Sequence, residues 1–178
     1  NILEPLKNNK MSILELGSYQ GISAFFFLDY LENSKITCVD YFDNNPNNLN
    51  IFKKNLNQYL NTGRLEVYDG TTLSFFSKGL KENFYDLIYV DAGHGYLDVI
   101  TDLYYSYLQL KINGLMLLDD YLWYEGKVVD LNKGVRLAIN DFLERANGTY
   151  KVIYFGYSVV IKKIKNFEAT QFRNNFKE

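Results

Sequence analysis

Cysteine and histidine each occur once in the 178 residues, as Cys38 and His94, and proline occurs twice. One cysteine, set inside an apolar run, excludes a disulfide within the monomer and fits a reducing, cytoplasmic setting. Lysine and arginine total 19 against 21 acidic residues, for a formal net charge of −2, and they form no block that could track a phosphate backbone. A nucleic-acid partner is therefore not expected. No apolar run approaches the ~20 residues of a membrane span, and the first residues lack a signal-peptide pattern, so no membrane association is expected. What remains is a composition 47% hydrophobic and 22% charged, enough to bury one substantial core. There are no internal repeats and no linker. A single domain over residues 1–164 is expected, followed by a polar tail over 165–178.

Apolar runs alternate with amphipathic segments, the pattern of a βαβ series. Strands are predicted at Ser12–Leu16, Ile36–Asp40, Leu65–Tyr68, Phe84–Val90 and Leu115–Leu118. The run Phe84–Val90, broken only by Asp86, predicts a central strand buried on both faces. Helices are predicted over Gly21–Asn33, with Ile22, Phe25, Phe26 and Leu28 toward the core, and from Pro46 through Tyr59. Two more cover Tyr96 to about Leu110, with Asn113-Gly114 as the stop signal, and Lys133–Arg145. Tyr150–Phe155 and Ser158–Ile164 read as strands joined through Gly156-Tyr157 in a tight hairpin. Five βα units closed by an antiparallel hairpin predict an α/β, Rossmann-like fold: a seven-stranded, mostly parallel sheet with helices on both faces.

The first strand runs into Glu15-Leu16-Gly17-Ser18-Tyr19-Gln20-Gly21, and the second ends in Asp40. A strand, a glycine turn, a helix and a strand-end carboxylate form the arrangement that holds a nucleotide-like cofactor at a sheet edge. The spacing is E-x-G-x-x-x-G rather than the G-x-G-x-x-G that cradles a pyrophosphate. That favours a cofactor lacking a diphosphate, and S-adenosylmethionine fits. Gly17 and Gly21 let the backbone come close to the ligand, with Ser18 and Tyr19 between them. Glu15 is placed to accept from the cationic amino-acid end of the cofactor, and Asp40 from the ribose hydroxyls.

Two further strands end in acids on the same sheet edge, Asp91 after the fourth and Asp119-Asp120 after the fifth. Three carboxylates converging there suit Mg²⁺ or another hard cation, which lowers the pKa of a substrate hydroxyl and aligns it. His94, three residues beyond Asp91, is an imidazole, the side chain most suited to general-base chemistry near neutrality. Plainer readings stay open at this point. The acids can be merely solvated, Asp119-Asp120 can cap the next segment, and His94 can be a loop residue. Tyr121, Trp123 and Tyr124 follow the acidic pair and are expected at the rim of the site, lining an acceptor pocket.

Three blocks carry a resemblance over nearly the whole chain: Leu14–Gly21, then Tyr85-Asp86-Leu87-Ile88-Tyr89-Val90-Asp91-Ala92-Gly93-His94, then Asn113-Gly114-Leu115-Met116-Leu117-Leu118-Asp119-Asp120-Tyr121. The chain resembles class I S-adenosylmethionine-dependent methyltransferases, in particular the metal-dependent small-molecule and sugar O-methyltransferases of the macrocin and mycinamicin type. That resemblance implies cofactor contacts from Glu15, Gly17, Ser18, Tyr19, Gly21 and Asp40, with adenine near Asp69 and Gly70. It further implies a divalent cation, Mg²⁺, on Asp91, Asp119 and Asp120, and a catalytic pair in His94 and Asp91. The implied acceptor is a hydroxyl of a small molecule or sugar. A methyltransferase acting on nucleic acid or protein, and a non-catalytic S-adenosylmethionine-binding module, are the alternatives; the short lead before the first strand keeps the second open. The oligomeric state is open, a homo-oligomer included.

Overall fold

The computed structural model describes residues 2–42, 46–123 and 134–167. In chain order the strands are β1 (Ser12–Leu16), β2 (Lys35–Asp40), β3 (Leu65–Asp69), β4 (Tyr85–Val90), β5 (Leu110–Leu118), β6 (Tyr150–Phe155) and β7 (Val159–Lys163). The helices are α1 (Ile22–Tyr30), α2 (Pro46–Asn55), α3 (Thr72–Ser77), α4 (Tyr96–Gln109) and α5 (Val135–Arg145). The sheet order is β3-β2-β1-β4-β5-β7-β6. β1 to β5 are mutually parallel, and β7 runs antiparallel to both β5 and β6. The expected seven-stranded fold is thus the observed one.

The continuous apolar strands cannot leave either face in water, and two cores result. One lies under α4 and α5 and holds Leu14, Leu16, Ile88, Val90, Met116 and Leu118. The other lies under α1 and α2 and holds Ile13, Ala24, Phe27, Leu28, Phe52 and Leu87. Asp86, the one charge in the β4 run, is satisfied at the strand's start. It accepts from the Ser12 amide (2.8 Å) and from Lys111 Nζ (2.8 Å).

Several local expectations are overturned. α1 buries Ala24, Phe27 and Leu28, while Ile22, Phe25 and Phe26 face outward. An almost uniformly apolar helix has no polar face to betray which side is inside. α4 ends at Gln109, and Leu110 goes straight into an extended conformation, so Asn113-Gly114 lies within β5 and does not stop a helix. Asn113 sits there at φ 70°, beside the register shift between β4 and β5 at Tyr85/Leu87. The helix α3, which the sequence reading leaves out, starts from Thr71, whose side chain accepts from the Ser74 amide.

The order places the topological switch between β1 and β4, where β1 leads toward β2 and β3 on one side and β4 toward β5 on the other. Ligands of open α/β sheets bind at the carboxyl ends of the strands at that crevice. Because β7 is antiparallel, with Val159 opposite Leu118, the β6–β7 turn also comes to this edge.

Candidate active site

The Gly17 turn is built first by the backbone. The Gly17 amide donates to Val39 O (2.8 Å) and the Asp91 amide to Leu16 O (2.8 Å), so β1, β2 and β4 stay in register to their ends. Gly17 adopts φ 86°, and a Cβ there would lie 1.9 Å from the Asp91 carbonyl oxygen. Gly21 adopts φ 81°, and its Cβ would meet Leu56 and Phe52 of the α2 side at 2.9 Å. The chain's own packing is thus by itself a reason for glycine at both positions. Tyr19, at φ 44°, donates its amide to Asp40 Oδ2 (2.7 Å), which joins the turn to the tip of β2.

Glu15 lies fully buried beneath that turn. Cys38 Sγ donates to its Oε2 (3.3 Å), while Glu15 Oε1 and Ser18 Oγ are buried with no hydrogen-bond partner among the described residues. Burial pushes the Glu15 carboxyl above the usual range. Asp40 is half-buried, and its pKa too is raised by burial, against the amide bonds that lower it. Asp69 is exposed at the end of β3, in register with Asp40, and the Gly70 amide donates to Asp40 O (2.9 Å).

Across the crevice stand the acids. One ligand atom each from Asp91, His94 and Asp120 lies within 4.8 Å of the others. His94 Nε2 is 3.1 Å from Asp120 Oδ2, and its ring packs on Trp123 at 4.5 Å between centroids. Asp120, at φ 57°, also accepts from the Tyr157 hydroxyl (2.9 Å) through Oδ1. Asp119, the third acid expected in the set, points beside this group. Its Oδ1 accepts from Ser158 Oγ and the Asp120 amide (2.9 Å), and its Oδ2 from the Tyr89 hydroxyl. Burial first, then the charges of Asp119 and Asp120, push Asp91 up to about 7. All four side chains line one small cleft with Ala92 and Gly93.

The aromatic rim is only partly as expected. Tyr121 is buried, its ring against Phe155 (4.9 Å) and its hydroxyl on Asn140 Oδ1 (3.1 Å), because the chain turns inward after Asp120. Trp123 does reach the site, through His94. Tyr124 lies outside the described residues. Three side chains at the acids were not singled out from sequence: Tyr89, Tyr157 and Ser158. Tyr89 shares a strand face with Asp91 by the two-residue period, a signal available in the sequence. The other two become visible only once the hairpin is known to pair with β5.

A doubly wound sheet with one reversed strand, a glycine turn at its switch point and a carboxylate at the tip of β2 is the architecture of Rossmann-like methyltransferases. Residues 14–121 match the family model described as a methyltransferase domain, and the chain belongs to that family. The fold recurs in solved structures. An O-methyltransferase from Bacillus cereus in complex with S-adenosylhomocysteine is 17% identical, with TM-score 0.69 over 92% of this chain and 77% of that one. A proposed rRNA methylase from Clostridium thermocellum is 12% identical, with TM-score 0.72 over 93% of each chain. The MycE methyltransferase of the mycinamycin biosynthetic pathway, in complex with Mg and S-adenosylhomocysteine, is 14% identical, with TM-score 0.67 over 94% of this chain and 48% of that one. No curated protein matches the sequence.

Proposed function

We propose that this chain is an O-methyltransferase that moves the methyl group of S-adenosylmethionine to a hydroxyl of a small molecule or sugar, assisted by a divalent cation. The observation that carries this reading is the convergence of Asp91, His94 and Asp120 at the sheet edge, with Asp91 in backbone contact with the Gly17 turn.

The residues fit both groups. Glu15 Oε1 and Ser18 Oγ lie buried beside the turn with no hydrogen bond of good geometry among the described residues, a polar pair suited to the ammonium end of the donor. The N-cap of α1 is Gly21, which offers no side-chain cap, so the first-turn amides suit a carboxylate. In this reading Asp40 accepts from the ribose, and Asp69 with Gly70 meets the adenine end. Two carboxylates, Asp91 and Asp120, form a hard oxygen donor set, enough for Mg²⁺ with water completing its shell. The cation, when bound, makes the acceptor hydroxyl more acidic and holds it in place. His94, held through Nε2 by Asp120 and by its ring contact with Trp123, takes the hydroxyl proton at Nδ1, the ring nitrogen that this bond leaves as the acceptor. Sulfonium methyl transfer needs little else from the protein beyond alignment. The net charge of −2 favours a small acceptor over a nucleic acid.

The test is turnover of labelled S-adenosylmethionine against a panel of hydroxylated small molecules and sugars, with and without EDTA. Loss in EDTA and recovery with Mg²⁺ is expected. Activity indifferent to chelation and to Asp120→Ala removes the cation from the reading. Cofactor binding without methylation of any acceptor favours a binding module instead.

A further inference from the structure

Tyr89 reaches two of the acids from within the sheet. Its ring comes off β4 on the α1 face of the sheet, edge-on to Phe27 at 5.7 Å. Its hydroxyl donates to Asp119 Oδ2 and stands 3.2 Å from Asp91 Oδ2, so it spans the ends of β4 and β5. Asp119 meanwhile accepts three hydrogen bonds. Ser158 from the hairpin and the Asp120 amide occupy Oδ1, and Tyr89 occupies Oδ2. Asp91 differs: no hydrogen bond to its Oδ1 occurs among the described residues, and that oxygen is the one left for a ligand. A hydroxyl has one proton, so its bond to Asp119 and its approach to Asp91 belong to one shared arrangement.

We propose that Tyr89 is a positioning residue of the acid cluster, bridging Asp119 to Asp91 so that Asp119 acts as a strut that orients Asp91 and does not itself hold the cation. This rests on the metal-assisted reading above. Groups that hydrogen-bond to metal-ligating carboxylates set their orientation, and removing one typically costs 10–100-fold in metal affinity. A direct ligand costs more.

The experiment titrates Mn²⁺ alone into the full chain by electron paramagnetic resonance, and S-adenosylhomocysteine by calorimetry, for the unaltered protein and for Tyr89→Phe, Asp119→Asn, the double variant and Asp91→Asn. Tyr89→Phe is expected to weaken Mn²⁺ about 10-fold, to alter the Mn²⁺ spectrum, and to leave S-adenosylhomocysteine affinity unchanged. Asp119→Asn should weaken Mn²⁺ to a similar extent, and the double variant no more than either single, because both act through one bridge. Asp91→Asn should abolish Mn²⁺ binding. Unchanged Mn²⁺ affinity in Tyr89→Phe overturns the inference and leaves the metal reading standing. So does an Asp119→Asn loss as complete as that of Asp91→Asn. Loss of S-adenosylhomocysteine affinity in Tyr89→Phe makes the residue a general support of the fold and overturns it as well. No Mn²⁺ binding by the unaltered chain overturns the metal reading and the inference together.

Discussion

Gly17 and Asp91 are in backbone contact: a Cβ on Gly17 would sit 1.9 Å from the Asp91 carbonyl oxygen, and Gly17 already adopts φ 86°. The donor side and the acid side of the crevice are therefore one unit. Gly17→Ala has no flexible side chain to push aside, only the β4 backbone. It should destabilise the chain by about 3 kcal/mol or more, among the larger single-residue effects. Thermal melting checks this, and a variant that melts like the unaltered chain shows that the β1 and β4 ends can separate at little cost.

Asp102, on α4, is buried, and burial pushes its carboxyl up to about 6 from an ordinary 3.8. The folded state holds that proton more tightly than the unfolded state does. Its contribution is thus complete below about pH 4 and is lost as pH rises toward and through 6. Asp102→Asn removes the penalty. Urea unfolding should find the variant more stable than the unaltered chain at pH 8, by up to about 3 kcal/mol, with the gap closing toward pH 4. A gap independent of pH means that Asp102 does not carry it.

Arg64 closes the carboxyl end of α1. Its Nη2 donates to Leu28 O (2.7 Å) and Leu31 O (3.1 Å), and its Nε to Ser34 O (3.0 Å). These are charge-assisted bonds to carbonyls at and just beyond the end of α1. Arg64→Met should cost about 2 kcal/mol. Arg64→Lys should recover only part of it, because one ammonium cannot match a planar fork. Full recovery by lysine in a melting experiment shows that charge alone suffices.

The strands were legible because central parallel strands must be apolar on both faces, and β1 is observed at the expected Ser12–Leu16. The glycine turn and the strand-end acids were legible because strand ends place them on one edge whatever the helices do. The inward side of α1 was not. Ile22, Phe25 and Phe26 are as apolar as Phe27 and Leu28, so hydrophobicity could not rank them, and packing on the sheet decided. Tyr121 was assigned to the rim by its proximity in sequence to Asp120, but the left-handed backbone of Asp120 (φ 57°) directs the next side chain inward. The separate conduct of Asp119 and Asp120 was hidden for a related reason. Adjacent residues on a strand end face different ways, and only the partners Tyr89, Ser158, His94 and Tyr157 distinguish them.

The account stands most directly on the methyl donor. Calorimetry of the full chain with S-adenosylmethionine and S-adenosylhomocysteine should show binding of both at one site per chain. Asp40→Ala, which frees the Tyr19 amide and removes the proposed ribose acceptor, should reduce affinity at least about 100-fold, the loss of two hydrogen bonds to a charged group. Its melting temperature should stay close to that of the unaltered chain. No binding of either compound by the unaltered chain contradicts the account, and so does an Asp40→Ala variant that binds as tightly as the original.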